Sequence, residues 1–270
     1  MPQESRTKPG STASPPHCAR RSIVLCTPPK LVAAAHSRVR DSRVATASSS
    51  ARTAETTPLG RSICRAASAN DGSPSRQGQR PLELGADLTV GSDTKALTGH
   101  SDLLLGHVST TDDDLFARLQ RWRNNTGNTP GPFEAWLGHR SMSTLDLRLA
   151  RQAANAAAVA DVLAGSPAVT GVRWPWRAGD PSFALAARQM LRPNGVVSAV
   201  LADEEAVRRL LSGTTLWTAA TSFGGVHSTI DRRAQWGGDA VDPGFVRLSC
   251  GIEDTADLVT DLAEGLAGLA

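Results

Sequence analysis

Gln79-Arg80-Pro81-Leu82-Glu83-Leu84-Gly85-Ala86-Asp87-Leu88-Thr89-Val90-Gly91-Ser92-Asp93-Thr94-Lys95 is the stretch that decides how this chain is read. Ala86 to Val90 has the apolar, β-branched character of a short buried strand. A polar turn follows, and it delivers a lysine flanked by small hydroxyl residues. Such a lysine suits a Schiff base: its amine condenses with an aldehyde, and neighbouring hydroxyls can donate to a phosphate. Taken alone, the signal is weak, because a lysine in a polar loop is usually a solvated one.

The texture of the chain changes just before this stretch. All eleven Phe and Trp residues lie at or beyond Phe116, and there is no Tyr. Residues 1–77 carry a net charge of +8 and the remainder −5, so the basic balance of the whole, +3, belongs to the N-terminal segment. That segment is rich in Ser, Arg, Ala, Thr and Pro. Its only apolar runs are Ile23-Val24-Leu25-Cys26 and Leu31-Val32-Ala33-Ala34-Ala35. It cannot bury enough apolar surface to offset roughly 1–2 kcal/mol of backbone ordering per residue, and disorder is expected. Three readings fit it: a disordered tail, a transit-like peptide poor in acidic residues, or out-of-frame translation. The abrupt onset of sense at Gly78 favours the last. The basic residues show no helical face and no interleaved aromatics, so a nucleic-acid partner is not expected.

Four cysteines, Cys18, Cys26, Cys64 and Cys250, form no CxxC pair, so neither a disulfide framework nor a zinc site is indicated. The spacing of His100, His107 and His139 is not a ligand pattern. No apolar run approaches the roughly 20 residues of a membrane helix. A soluble chain of a reducing compartment, the cytoplasm, is expected.

Beyond Val90, helices are predicted over 112–124, 133–139, 143–163, 181–191, 203–212 and 254–267. Strands are predicted over 169–173, 195–201, 216–221 and 245–249. The long helix carries Leu145, Leu149, Ala153, Ala156 and Val159 on one face, and the last has Leu258, Leu262 and Leu266 spaced by four. Strands alternating with helices indicate an α/β or α+β domain. Trp174 and Trp176 are expected to pack in its core, and Cys250 to be buried and reduced.

The lysine stretch continues into Gly99-His100-Ser101-Asp102 and, after three leucines, Gly106. Further on come Pro130-Gly131-Pro132-Phe133-Glu134-Ala135-Trp136-Leu137, Thr144-Leu145-x-Leu147-Arg148, Ser222-Phe223-Gly224-Gly225-Val226 and Val246-Arg247-Leu248-Ser249-x-Gly251-Ile252-Glu253-Asp254. In order and spacing, residues 78–270 resemble the C-terminal part of the Cys/Met-metabolism PLP-dependent enzymes. That family includes cystathionine gamma-lyase, cystathionine gamma-synthase and methionine gamma-lyase.

The resemblance implies the C-terminal part of a fold-type I PLP-dependent transferase. Residues 78–143 would be what remains of the large cofactor-binding domain, and residues 144–270 the small α/β domain. It implies pyridoxal 5'-phosphate as cofactor and a small-molecule sulfur amino acid as substrate. The reaction would be carbon–sulfur cleavage of cystathionine to cysteine, 2-oxobutanoate and ammonia, with synthase or methionine gamma-lyase chemistry as alternatives. Lys95 would form the Schiff base and shuttle protons, Ser92 and Thr94 would help hold the phosphate, and Arg247 would bind the substrate carboxylate. Ser222 would lie in a loop brought against the substrate. His227 stands where gamma-specific relatives often carry an acidic residue, which leaves the choice among gamma-lyase, synthase and beta-lyase chemistry open.

The family's phosphate loop, ring-stacking aromatic, ring-nitrogen aspartate and Tyr-x-Arg segment are not recognisable in residues 1–77. Asn70 stands at the aspartate's position. The resemblance implies homodimers or homotetramers with shared sites, for which much of the interface would lack a counterpart here. From this follows the expectation of weak or absent PLP binding and negligible lyase activity, and an alternative of another class: a non-catalytic remnant whose small domain folds without PLP.

Overall fold

The computed structural model describes residues 21–25, 66–68, 78–237 and 240–269. In chain order the elements are β1 (Arg21–Leu25), β2 (Ala66–Ser68), β3 (Leu88–Ser92), β4 (Gly106–Thr110), α1 (Asp113–Thr126), α2 (Pro132–Met142), α3 (Leu145–Gly165), β5 (Val169–Arg173), α4 (Phe183–Gln189), β6 (Val196–Leu201), α5 (Glu204–Ser212), β7 (Thr218–Ala219), β8 (Thr229–Arg232), a 3₁₀ turn (Arg233–Trp236), β9 (Phe245–Ser249) and α6 (Thr255–Ala267).

They form two sheets. The first runs β1-β4-β3-β2, with β3 and β4 antiparallel and β2 parallel to β3; the second runs β5-β6-β9-β8-β7, antiparallel except for β7 against β8. Of residues 1–77, only β1 and β2 are described. The Ile23-Val24-Leu25 run has strand character, and it pairs antiparallel with β4 from Arg21↔Thr110 to Leu25↔Gly106. The other positions of that segment lie outside the described residues.

Helices α3 and α5 pack on the second sheet, and α6 packs against both, in one shared core. Strand β6 alternates strictly, turning Val197, Ala199 and Leu201 inward, as a half-buried strand must. Opposite them Ala156, Val159, Ala160 and Leu163 of α3 and Leu258, Leu262 and Leu266 of α6 are buried. The small alanines of α3 let the helix approach the sheet closely. Cys250 is fully buried in this cluster, and burial, with Glu253 nearby, pushes its thiol pKa well up. Trp174 joins the same core and its indole donates to Asn194 O at 3.1 Å, while Trp176 packs against the margin.

Aspartates start three of the helices. Asp112 accepts from Leu115 N, Asp203 from Ala206 N and Asp254 from Ala256 N, at 2.8–2.9 Å. Each satisfies a backbone donor left open by the first turn. None of the described helices is long and apolar enough to cross a membrane.

Leu163 has no exposed surface. Leu163→Ala is therefore expected to lower stability by about 2–5 kcal/mol, through lost burial plus a residual cavity. Urea denaturation of both proteins measures it, and a change below about 1 kcal/mol would show that the helix–sheet seam is not close-packed.

Candidate active site

The turn that presents Lys95 is built from its own backbone. Lys95 N donates to Ser92 O, Thr98 N to Asp93 O and Gly99 N to Lys95 O. Gly99 sits at φ +75, and a Cβ there would fall 2.2 Å from Arg148 Nη1, so only glycine fits. The approaching side chain, Arg148 on α3, is buried. It donates to Ala96 O at 2.6 Å, to Leu97 O and Ser141 O at 2.9 Å, and to Thr144 Oγ1 at 3.2 Å. Its partners among these are neutral oxygens, and desolvation lowers its pKa from the usual arginine value.

On the other side of the turn, His107 Nδ1 meets Asp93 Oδ1 at 2.5 Å, with both side chains largely out of water. The imidazole lies over Gly91, its direct partner on the neighbouring strand, where a Cβ would come within 2.4 Å of the ring. Among the described residues, no group of three or more His, Cys, Asp or Glu is arranged to hold a metal ion.

The loop that follows β7 seats against this turn. Gly224, at φ +76, has the Ala96 backbone 3.0 Å from where its Cβ would be, and Val226 N donates to Gly99 O at 2.8 Å. Gln152, one helical turn beyond Arg148, donates to Gly225 O at 2.8 Å and Gly224 O at 3.3 Å. Gly224 N donates to Ser249 Oγ at 2.8 Å, which ties the loop to β9. Behind it, Glu253 accepts from Ser228 N and Ser228 Oγ, and Asn155 Nδ2 donates to Gly251 O and Glu253 O. A Cβ at Gly251 would lie 2.3 Å from Val226 O. The late Ser249-x-Gly251-Ile252-Glu253 motif is thus a clamp on the loop.

This framework brings Lys95, Ser222 and Arg247 together. Lys95 Nζ donates to Ser222 Oγ at 3.1 Å. Both cations lie over the Phe223 ring, with Lys95 Nζ 4.9 Å and the Arg247 guanidinium 4.8 Å from its centroid. Desolvation first, and the charge of Arg247 second, lower the Lys95 pKa below the ordinary lysine value. The amine is thereby biased toward its neutral, nucleophilic form.

Arg247 Nη2 donates to Thr221 O at 2.7 Å and to Asp231 Oδ2 at 3.0 Å. Asp231 is buried. Burial alone would raise its pKa, but the donors Trp236 Nε1 and Arg233, together with the charges of Arg247 and Arg233, hold it below the usual carboxylate value.

Ser92 ends β3 directly before the turn. The Thr94 hydroxyl lies between Leu105 O, to which it donates at 3.2 Å, and Leu105 N, from which it accepts at 3.0 Å. Its single proton serves the turn in this conformation. His227 is exposed. Sequence reasoning gave no role to Phe223, Asp231, Arg148 or Gln152. Of these, Arg148 and Gln152 were detectable as polar side chains on the buried face of a helix otherwise marked by Leu145, Leu149 and Ala156.

A family model, Cys/Met metabolism PLP-dependent enzyme, matches residues 72–267. A Streptomyces coelicolor protein named as a candidate cystathionine gamma-lyase is 53% identical over 189 residues, covering 70% of this chain and 48% of its own. The cystathionine gamma-synthase of Mycobacterium tuberculosis is 40% identical over 196 residues, covering 70% of this chain and 50% of its own. The chain spans about half the length of these curated relatives. A crystal structure of cystathionine gamma synthase from Xanthomonas oryzae pv. oryzae, in complex with aminoacrylate and cysteine, superposes with a TM-score of 0.75 at 33% identity. That match covers 90% of this chain and 67% of the other. With its lysine turn and its arginine strand converging as the motifs required, the chain belongs to the Cys/Met metabolism PLP-dependent enzyme family.

Proposed function

We propose that the chain carries the lysine and the carboxylate-recognition elements of a PLP-dependent carbon–sulfur lyase site. Its substrate is L-cystathionine, which with one water gives cysteine, 2-oxobutanoate and ammonia. The observation that supports this best is the meeting of Lys95 with Ser222 and Arg247 around Phe223, from segments far apart in sequence.

The residues present fit one side of a PLP site. Lys95 has the lowered pKa that an aldehyde-capturing amine needs. Ser92, at the end of β3, would help hold the phosphate, with Thr94 joining it once its bond to Leu105 O is exchanged. When bound, PLP supplies an electron sink for the substrate's α-carbon. Lys95 then moves protons at the α and β carbons, and Arg247 pairs with the α-carboxylate through its planar fork. Ser222 Oγ accepts from the lysine amine and orients it. A cytoplasmic setting and a homo-oligomer belong to the same reading.

Synthase or methionine gamma-lyase chemistry is the second choice, supported by 40% identity to a cystathionine gamma-synthase and 38% identity to an L-methionine gamma-lyase. The alternative of another class, a folded piece that does not hold PLP, draws support from the Thr94 proton committed to Leu105 O.

The test is release of 2-oxobutanoate from L-cystathionine by the chain with PLP, beside formation of cystathionine from an activated homoserine ester and cysteine. Keto-acid release above that of Lys95→Ala supports the lyase. Condensation without release supports the synthase. Neither activity, together with no cofactor capture at Lys95, supports the piece that does not hold PLP.

A further inference from the structure

Strand β8 places Asp231 directly opposite Arg247 on β9. The Asp231 side chain is 1% exposed. A carboxylate this far from water is retained only where donors replace its hydration. Its donors converge from two directions. Arg247 Nη2 and Arg233 Nη1 reach Oδ2 at 3.0 and 3.1 Å, and the Trp236 indole reaches Oδ1 at 3.0 Å. The Arg233–Trp236 turn thus wraps the carboxylate from one side while the guanidinium of the site takes the other.

Among the described residues, Asp231 Oδ2, Thr221 O and the face of Phe223 hold that guanidinium. Thr221 O and Phe223 belong to the loop that also carries Ser222, so they move with the loop. Asp231 is anchored in the sheet. It is therefore the contact that fixes the arginine fork relative to β9, whatever the loop does.

We propose that Asp231 is a positioning residue for substrate recognition: by holding the Arg247 guanidinium, it sets the site's preference for amino acids over the same amines lacking a carboxylate. This rests on the reading of Arg247 as the carboxylate binder.

The probes are N-phosphopyridoxyl-L-methionine and its carboxylate-free counterpart, N-phosphopyridoxyl-3-(methylthio)propylamine. They share ring, phosphate and side chain, and bind without any covalent step at Lys95. The ratio of their affinities, measured by calorimetry, therefore isolates the carboxylate. Asp231→Asn is expected to lower this ratio roughly tenfold, the scale of one charge-assisted hydrogen bond. In an Arg247→Ala background the same substitution is expected to leave the ratio unchanged, because Asp231 acts through Arg247. Trp236→Phe keeps the Asp231–Arg247 bond and is expected to retain the wild-type ratio, although it too removes a donor from Asp231.

A purely structural role would weaken both probes together and leave the ratio alone. A ratio that survives Asp231→Asn overturns the proposal by itself. A wild-type protein with no preference for the carboxylate probe overturns it together with the reading of Arg247. An equal fall in the Arg247→Ala background overturns the claim that Asp231 works through the arginine.

Discussion

Incubation with PLP followed by borohydride reduction is expected to mark Lys95 in preference to every other lysine at neutral pH. The chain makes this experiment clean, because its only lysines are Lys8, Lys30 and Lys95. Only the neutral amine attacks an aldehyde, and Lys95 has its pKa lowered by desolvation and by Arg247. At a pH well below the lysine pKa, any lowering acts directly on the neutral fraction. Capture at Lys95 should outrun the other two lysines by roughly tenfold or more, since each tenfold gain corresponds to about 1.4 kcal/mol. Peptide mapping by mass reads the result. Lys95→Ala should abolish the mark in the lysine turn along with any keto-acid release. The sign of the electrostatic part can be checked separately. Arg247→Ala removes a nearby positive charge, so the Lys95 pKa rises and the pH midpoint of capture moves upward. Marking spread evenly over Lys8, Lys30 and Lys95 would sink the assignment of the lysine.

Arg247→Ala should have the second large effect, on the amino acid rather than the cofactor. Removing one partner of a hydrogen-bonded charge pair typically costs about 2–5 kcal/mol, or roughly 30-fold to several thousandfold in affinity. The loss should appear with N-phosphopyridoxyl-L-methionine and be nearly absent with the carboxylate-free probe. Arg247→Lys should recover little of it. With Nη2 engaged by Thr221 O and Asp231, the fork still has other N–H donors for a carboxylate and a flat face for Phe223, whereas an ammonium has one nitrogen for all of these. Unchanged affinity for the carboxylate probe in Arg247→Ala would refute the role.

Much of this architecture was legible before the structure. The helix at Asp113–Thr126 announced itself by an aspartate-rich start, and α6 by leucines spaced by four. Strands β5 and β9 fell at the expected residues. What escaped were strands whose composition denies their burial. Thr229-Ile230-Asp231-Arg232 reads as a polar turn because two of its residues are charged, yet Asp231 points inward toward partners that only tertiary structure supplies. Gly106-His107-Val108-Ser109-Thr110 was missed likewise, since its histidine is accommodated by a glycine across the sheet and an aspartate in the next turn. Strand β1 was discounted because its surroundings cannot form a core, although its own residues favour extended structure. At the site, Lys95, Ser222 and Arg247 were recognisable through ordered motifs. Phe223 and Asp231 were not, because their roles arise only when the loop after β7 meets β9.

Helix α3 holds both halves of the site with two side chains four residues apart. Arg148 grips the lysine turn and Gln152 grips the Ser222–Gly225 loop. The helix therefore works as a gauge block: the spacing between the lysine turn and the Ser222 loop is inherited from one helical turn, about 5–6 Å of rigid backbone. Inserting a single alanine between the two would swing Gln152 about 100° around the axis and leave every motif intact in sequence. Such a chain would still read as a member of the family while its lysine and the loop that carries Ser222 no longer met.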